Sequence, residues 1–353
     1  MRVPLAIPVL GLLLLNVLRV VMPATGRTAE PQRAADPFAF FSSAVTVSAS
    51  DRVALARGHV VVRELPSKGN DVGLLSIIAT TATPAQLVTL TRDIRQFKTG
   101  GIVRAVGVIG TPATARDFEG LPVDDEDMKD IRQCRPGDCG VKLTTSEIAA
   151  LRAEISGKGG PWRARVPPLL QQLLAERVQR YQRGGLGALP MPDDGRHDVP
   201  PAAVFETLLK SHPYLGALQA ELSAFLSAGG APPPAVRDSY LYWSAEDTGG
   251  KLVISVTHLT IVHADTAGVP PVMVLGKQVL ATHYFVGSLN LLAMCGTAEG
   301  PRYLVAINRS RVDLMTGPFR GIVRSTIERR IRGAAPGMMT GLKRRVEGVI
   351  AKN

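Results

Sequence analysis

The last third of the chain carries closely spaced runs of β-branched and apolar residues, and these runs constrain its fold most strongly. The segment 251–263 is rich in Val, Ile and Thr, and the segments 272–285 and 302–308 follow it after turns that contain Gly or Pro. Connections of this kind favour antiparallel pairing, since parallel strands usually need a helical crossover between them. The sequence therefore predicts an antiparallel sheet in this part of the chain.

A second β-rich region lies nearer the start of the chain. The segments 59–65, 72–81 and 102–109 are rich in β-branched residues and predict three strands. After the second of them, Thr83 and Pro84 are the residue types that begin a helix, with Thr as the N-cap. Gly-Gly ends this helix, whose apolar residues recur at helical spacing: Leu87, Leu90, Ile94 and Phe97. The region therefore predicts a strand, a helix and a strand that form one unit.

Residues 121–234, between the two β-rich regions, predict helices rather than strands. The segment 162–182 has the apolar spacing of an amphipathic helix, and two shorter helical segments follow it. The run Gly-Gly-Ala-Pro-Pro-Pro at 229–234 then interrupts regular structure. We therefore expect residues 51–120 and 235–353 to form one α+β domain, into which residues 121–234 are inserted as a helical segment.

The chain ends in a strongly basic segment. Between residues 302 and 353 there are 12 Lys and Arg against 3 Asp and Glu, so this end carries most of the formal net charge of +11. The segment 319–332 predicts a helix with an apolar side, and Pro336 is expected to kink or divide it. Such a helix either packs with its basic face in solvent or lies on anionic lipid. On the lipid, each nearby Lys or Arg adds about 1 kcal/mol to the free energy of membrane binding.

The low aromatic content of 5% argues against nucleic-acid binding through stacked bases. The sequence also contains no phosphate loop, no dinucleotide-binding glycine pattern, no Gly-x-Ser-x-Gly motif and no metalloprotease helix. We therefore expect no nucleic-acid partner, no cofactor and no metal, and we favour a binding role over catalysis.

Residues 1–24 predict a signal for export. Arg2 precedes an apolar run at 3–18, and small residues follow, as in secretory signals. Met22 occupies a position that usually holds a small residue before the cleavage site, so an uncleaved anchor in the inner membrane is the alternative. Residues 25–50 are expected to form a linker, and the rest of the chain is expected in the periplasm or otherwise outside the cytoplasm.

Cys134 and Cys139 flank the sequence Arg-Pro-Gly-Asp. Its Pro136-Gly137 pair suits the centre of a type II turn, which would bring the two cysteines within bonding distance. In an oxidising compartment this arrangement predicts a structural disulfide. The alternatives are a redox-active pair and half of a zinc site, but the spacing differs from that of redox motifs and no second Cys/His pair follows at zinc-finger spacing. Cys295 lies in an apolar run and predicts a buried thiol.

Candidate ligand-binding residues lie in the last third of the chain, namely His258, His283, Tyr284, Arg309, Arg311 and Asp313. Both histidines are expected on strands, where a satisfied buried histidine is the alternative to a ligand contact. His283 and Tyr284 are expected to border a pocket. The two arginines follow the last predicted strand and could bind an anion. The alternative is that one of them pairs with Asp313.

Several motifs resemble those of a family of uncharacterised exported bacterial proteins. The most specific is Asp-Ile-Arg-Gln-Cys-Arg-Pro-Gly-Asp-Cys-Gly-Val-Lys-Leu at 130–143. Shorter matches are 242–244, 254–258, 283–285 and 308–313. That family has no established activity, so the resemblance implies an exported protein with one integrated fold and no particular function.

The order of the predicted elements is similar to that of the START-like helix-grip folds. A strand leads into a helix capped by Thr-Pro, antiparallel strands follow, and a long helix ends the chain. Those folds wrap a sheet around the C-terminal helix and enclose an apolar cavity. The resemblance therefore implies a sheet that grips the C-terminal helix and a cavity for an apolar or amphipathic, lipid-like ligand.

These observations lead to three hypotheses about function. The first is non-catalytic binding of an apolar or amphipathic ligand between the sheet and the C-terminal helix. The second is an interaction with anionic lipid in the cell envelope through the basic helix. The third is a hydrolase whose pocket contains His283, Arg309 and Asp313.

Overall fold

Most of the chain is described by the computed structural model, in which residues Asp36–Asn353 group into one compact unit. The described residues are 36–158, 160–195, 199–216, 220–297, 299–314 and 320–349. The predicted export segment 1–24 and residues 25–35 of the predicted linker lie outside them.

An eight-stranded antiparallel sheet forms the centre of the fold. Its strands are β1 (Val61–Glu64), β2 (Asp71–Thr80), β3 (Val103–Ile109), β4 (Val236–Asp247), β5 (Leu252–His263), β6 (Val272–Ala281), β7 (Phe285–Cys295) and β8 (Arg302–Val312). The strand order is β1-β2-β8-β7-β6-β5-β4-β3, so β8 returns to pair with β2. The predicted α+β class with an antiparallel sheet is confirmed.

Two features of this sheet differ from the sequence prediction. β4 and β7 are full strands that periodicity alone does not reveal. The last strand is predicted to end at residue 308, yet β8 continues to Val312. Arg309 pairs with Gly73 of β2 and with Leu289 of β7, so hydrogen bonds from both neighbours hold this polar segment extended.

Helices connect and cover the strands. They are α1 (Ala49–Ala56), α2 (Pro84–Arg92), α3 (Ile94–Phe97), α4 (Asp125–Gln133), α5 (Thr145–Ser156), α6 (Trp162–Gly184), α7 (Pro201–Lys210), α8 (Pro213–Gly216), α9 (Ala220–Ala228) and α10 (Arg320–Glu347). Thr83 caps α2 as predicted, in a capping box with Gln86. The predicted helix over 83–97 is interrupted at Asp93, whose side chain accepts a hydrogen bond from the Gln96 N–H and thereby begins α3.

The sheet is apolar on both faces. Along β7, Leu289 and Leu291 belong to one hydrophobic cluster, whereas Leu292 and Met294 belong to another, as alternation along a strand requires. The first face packs against α1 and the helices from α4 to α9. The second face packs against α2, α3 and α10. Residues 121–234 therefore share a core with the sheet, and their description as an inserted segment stays a prediction.

Helix α10 packs against β1 and β2 on the second face of the sheet and against α2 and α3. The sequence predicts a kink or a division at Pro336, and the helix is not divided there, since it continues from Arg320 to Glu347. Pro336 is exposed, so water can hydrogen-bond to the carbonyl that lacks its usual N–H partner. Met339, Leu342 and Val346 follow on the buried side.

Candidate functional site

A cluster of buried apolar side chains from α2, α3, α10 and the second face of the sheet forms one layer, and we call it the α10 layer. Helices α2 and α3 contribute Leu87, Val88, Leu90 and Ile94. Helix α10 contributes Met339, Leu342 and Val346, and the sheet contributes Ile78, Leu259, Ile261, Val272, Val274, Leu292, Met294 and Leu304. These side chains are buried against one another, so a ligand could enter the layer only by displacing some of them.

The apolar stripe of α10 is only partly covered by the sheet. Val323 and Ile327 pack against the small cluster of Val72 and Val312. Further along the helix, Ile331 is 37% and Met338 is 63% exposed. We call these two exposed apolar residues, Ile331 and Met338, the exposed seam of α10.

One end of the α10 layer is polar. Lys98, directly after α3, places its Nζ 2.6 Å from Oε1 of Glu246 on β4. Ser244 Oγ donates a second hydrogen bond to that oxygen at 2.8 Å. Burial alone would raise the pKa of Glu246, but Lys98 outweighs it and the pKa lies below its usual value. The charged pair is therefore satisfied within the protein.

Arg345 of α10 approaches the same polar end. A Cβ placed on Gly100, in the turn before β3, would lie 4.0 Å from its Nη1. Its Nε is buried and has no hydrogen-bond partner among the described residues. Burial, with repulsion from Arg344, lowers the pKa of the guanidinium, yet arginine stays protonated at neutral pH. Arg345 thus presents an unsatisfied charged donor beside an apolar layer.

The C-terminal end of α10 is anchored to the sheet. The Glu347 carboxylate accepts hydrogen bonds from Thr80 Oγ1 at 2.9 Å and from the Thr81 N–H at 2.8 Å. It also pairs with Lys343 one turn earlier. Gln86 Nε2 of α2 donates to the Val349 carbonyl at 2.8 Å. These contacts fix the helix end next to Arg345.

His258 lies on the opposite face of the sheet, against α6. Its Nδ1 is 2.6 Å from the Tyr181 hydroxyl and its Nε2 is 2.6 Å from Ser239 Oγ. Burial, together with the charge of Lys277, lowers the pKa of His258 to about 4. The imidazole is therefore neutral at physiological pH and has a partner at each nitrogen.

His283 lies in the turn between β6 and β7, not on a strand as the sequence predicts. Its Nδ1 is 2.8 Å from the Gly140 carbonyl, and its Nε2 is 2.7 Å from Asp127 Oδ1. Burial raises the pKa of Asp127 even though His283 lowers it. Through these two contacts, His283 connects the end of the sheet to α4 and to the segment after Cys139.

Tyr284 and Asp313 meet beside this turn. Tyr284 has a φ of 59°, and its hydroxyl accepts a hydrogen bond from the Lys251 N–H at 2.9 Å. The Asp313 N–H donates to the Tyr284 carbonyl at 2.8 Å, and the Asp313 carboxylate pairs with buried Lys142. Two contacts therefore hold Tyr284 in a left-handed conformation that a residue with a side chain rarely adopts.

Arg309 and Arg311 point to separate partners. Arg309 is buried and donates from Nη1 to the Pro66 carbonyl at 3.0 Å. Arg311 donates from Nε to Asp71 Oδ1 at 2.7 Å. His283, Tyr284 and Asp313 are thus brought together, whereas His258, Arg309 and Arg311 each contact another part of the molecule. A ligand-binding role for these six residues stays a prediction.

Cys134 and Cys139 form a disulfide with Cα atoms 4.3 Å apart, as predicted. Gly137 has a φ of 77° in the turn between them, a conformation that favours glycine. Its N–H donates to Asp193, which joins this disulfide loop to the segment before α7. Cys295 is buried, and burial raises the pKa of its thiol.

Two cavities lie among the helices that cover the first face of the sheet, away from the α10 layer. One lies among α4, α5 and α6, and the other lies beside α9. Within the described ranges, no three His, Cys, Asp or Glu side chains are grouped so that they could hold a metal ion. In the same part of the chain, no helix is both long enough and apolar enough to cross a membrane.

The polar end of the α10 layer was not identified from the sequence. Lys98 and Glu246 are distant in the chain, so no local pattern links them. Arg345 did leave a signal, because it follows Leu342 by three residues and Met338 by seven. Those spacings place a charge on the apolar side of a helix.

Comparison with known proteins identifies no family for this chain. No family model matches it, and no curated protein matches it. One solved structure is similar, a START superfamily protein from Mycobacterium smegmatis, with a TM-score of 0.20 and 10% sequence identity. The similarity covers 39% of this chain and 90% of that protein. It is too slight to support a conclusion about fold or ligand, and the resemblance of the 130–143 motif to exported proteins stays a prediction.

Proposed function

We propose that the α10 layer binds an amphipathic acid, a molecule with an extended apolar chain and a terminal carboxylate. In this proposal, α10 and the sheet hold the ligand in the manner of a helix-grip fold, without catalysis. The observation that carries the proposal is the buried, unpartnered Nε of Arg345 at one end of an apolar layer. The arrangement offers complementary surfaces to both parts of such a ligand.

The head group is specified by Arg345. A buried donor without a partner costs about 1–3 kcal/mol, and more when it is charged. A carboxylate accepts two parallel hydrogen bonds from a guanidinium, which satisfies the donor and neutralises its charge. Lys98 is already paired with Glu246, so Arg345 is the cation that we assign to the ligand.

The apolar chain is specified by the α10 layer. Each buried methylene group contributes about 0.8 kcal/mol to the free energy of binding. An acid of ten carbons would therefore gain several kcal/mol of binding free energy, from which the cost of rearranging the protein is subtracted. Because the layer is well packed, entry requires movement of α10. The exposed seam at Ile331 and Met338 is where we place that entry, while Glu347 holds the end of the helix.

Displacement of a fluorescent fatty acid tests this proposal. We expect decanoic acid to compete with the probe and decanol to compete more weakly. Arg345→Gln should weaken the binding of decanoic acid about tenfold or more and leave the binding of decanol unchanged. Arg344→Gln is the matched control, because Arg344 is the neighbouring arginine and its side chain is exposed. Equal effects of the two substitutions on both ligands would refute the role of Arg345.

A second candidate function is binding of α10 to an anionic membrane surface. Ile322 is 66% exposed on this helix, and the exposed residues Arg329, Arg330 and Arg332 provide positive charge. Co-sedimentation with liposomes should then rise with anionic lipid content and fall in Ile322→Ser. Sedimentation that is independent of lipid charge would exclude it.

We infer an exported location for either function from residues 1–24 alone, and N-terminal sequencing of the periplasmic fraction tests it.

A further inference from the structure

A cationic cavity lies where α4, the disulfide loop, α5 and the start of α6 meet. Its volume is about 360 Å³, which falls within the range of about 300–1,000 Å³ for small-molecule sites. The charged residues that line it are Lys129, Arg132, Arg135, Arg152 and Arg163. The described lining includes no carboxylate. The cavity therefore combines the size of a ligand site with a charge of one sign.

The acidic residues of α4 do not neutralise this cavity, because most of them have partners elsewhere. Asp127 contacts His283, and Asp130 pairs with Lys251. Asp124 caps its own helix by accepting from the Asp127 N–H. Among the ion pairs of the described residues, Asp125 is the acidic residue of α4 that reaches a cavity residue, Arg163, in a pair that is largely exposed on both sides and therefore weak.

Two structural features position the arginines. The guanidinium groups of Arg132 and Arg163 lie 5.7 and 5.2 Å from the ring centre of Trp162, a distance at which cation–π attraction operates. Cys134 lines the cavity, and its disulfide restrains the loop that carries Arg135. Trp162 and the disulfide therefore restrain three of these cations, and all five cationic residues remain exposed to solvent, where a ligand can reach them.

We propose that this cavity binds a small molecule that carries a phosphate group. Arginine matches phosphate oxygens with paired hydrogen bonds, and a dianionic group offers more acceptors and more charge to several cations than a single carboxylate does. The site is separate from the α10 layer and does not depend on the function proposed there. Free organic phosphates and the phosphate of a lipid headgroup share the required chemistry.

Tryptophan fluorescence provides the assay. The chain contains 2 Trp, and Trp243 is buried with its Nε1 donating to the Asp117 carbonyl at 2.7 Å, so Trp162 reports on the cavity. The probes are pyrophosphate, glycerol phosphate, and phosphatidylcholine vesicles with or without phosphatidic acid. The variants are Arg132→Gln and Arg152→Gln. Arg329→Gln on α10 is the control for nonspecific attraction.

We expect saturable binding that is about ten- to a hundredfold weaker in each cavity variant and unchanged in the α10 control. Binding of pyrophosphate or glycerol phosphate supports a free organic phosphate as the ligand. Binding of phosphatidic acid vesicles alone also supports the site and identifies a lipid headgroup as the source. If no probe binds, or if Arg329→Gln weakens binding as much as the cavity variants do, the proposal is overturned. Far-ultraviolet circular dichroism confirms that the variants are folded.

Discussion

Removal of the Glu347 carboxylate tests how α10 is held on the sheet. In Glu347→Ala, the Thr81 N–H and the Thr80 hydroxyl lose their acceptor, and the pair with Lys343 is broken. Glu328→Ala is a matched control. Glu328 also pairs with a cation four residues earlier, Arg324, and its side chain is 25% exposed against 24% for Glu347.

The two substitutions should differ by about 2 kcal/mol. Hydrogen bonds to a charged group contribute about 1.5–3 kcal/mol each, and partial exposure of Glu347 reduces this figure. A surface pair at this spacing contributes only about 0.3–0.5 kcal/mol, and alanine recovers a few tenths through helix propensity. We therefore expect Glu347→Ala to destabilise the anchored end by about 2–3 kcal/mol and Glu328→Ala by about 0.5 kcal/mol or less.

Amide hydrogen exchange measures this local effect directly. Exchange across residues 339–347 should accelerate about 30-fold in Glu347→Ala and change little in Glu328→Ala. Although burial alone would raise it, the pKa of Glu347 is lowered to about 2 by hydrogen bonds from Lys343, Thr81 and Thr80. The stabilisation should thus be fully present above about pH 4.5 and be lost as the pH falls towards 2. Equal exchange in both variants would refute the anchor.

Three further predictions concern the other face of the sheet. The pKa of buried Lys277 is lowered by burial to about 8 from 10.5, so the native state loses a proton before the unfolded chain does. The free energy of unfolding should therefore rise from about pH 8 to 10.5, and Lys277→Met should abolish the rise; chemical denaturation across this range is the test. Cys134→Ser combined with Cys139→Ser should cost about 2 kcal/mol by the same measurement, since the loop is short, and no change would contradict a stabilising bond. Arg177→Met should cost about 3–5 kcal/mol because it leaves the buried Glu147 carboxylate without its partner, and a neutral result would show that the carboxylate takes up a proton or water at little cost.

Local signals in the sequence predicted several elements well. The pair Thr83 and Pro84 specifies the start of α2 through its own hydrogen bonds and backbone preference. The Pro136-Gly137 pair specifies the turn between the two cysteines through its backbone preferences. The β-branched runs predicted β2, β5 and β6 because each strand forms part of a buried sheet. The start of α2 depends on interactions within a few residues, whereas the three strands were recognisable because their own residue types suit a buried sheet.

Features that depend on distant contacts were missed or misplaced. Residues 308–312 form the end of a strand because β2 and β7 pair with them on both sides, and these residues themselves give no such signal. Asp127 belongs to an acidic run, yet it is buried against His283. The Lys98–Glu246 pair joins α3 to β4 only after the sheet has formed. Sequence periodicity carries no information about such partners.

The ionisation of a bound ligand tests the central claim most directly. A fatty acid labelled with ¹³C at its carboxyl carbon can be titrated on the protein by nuclear magnetic resonance. If Arg345 holds the head group in the α10 layer, the carboxyl pKa should fall below that of the free acid, because the guanidinium favours the charged form. Arg345→Gln should remove this depression, and Arg344→Gln should preserve it. A bound carboxyl group that titrates in the same way in all three proteins would contradict the account.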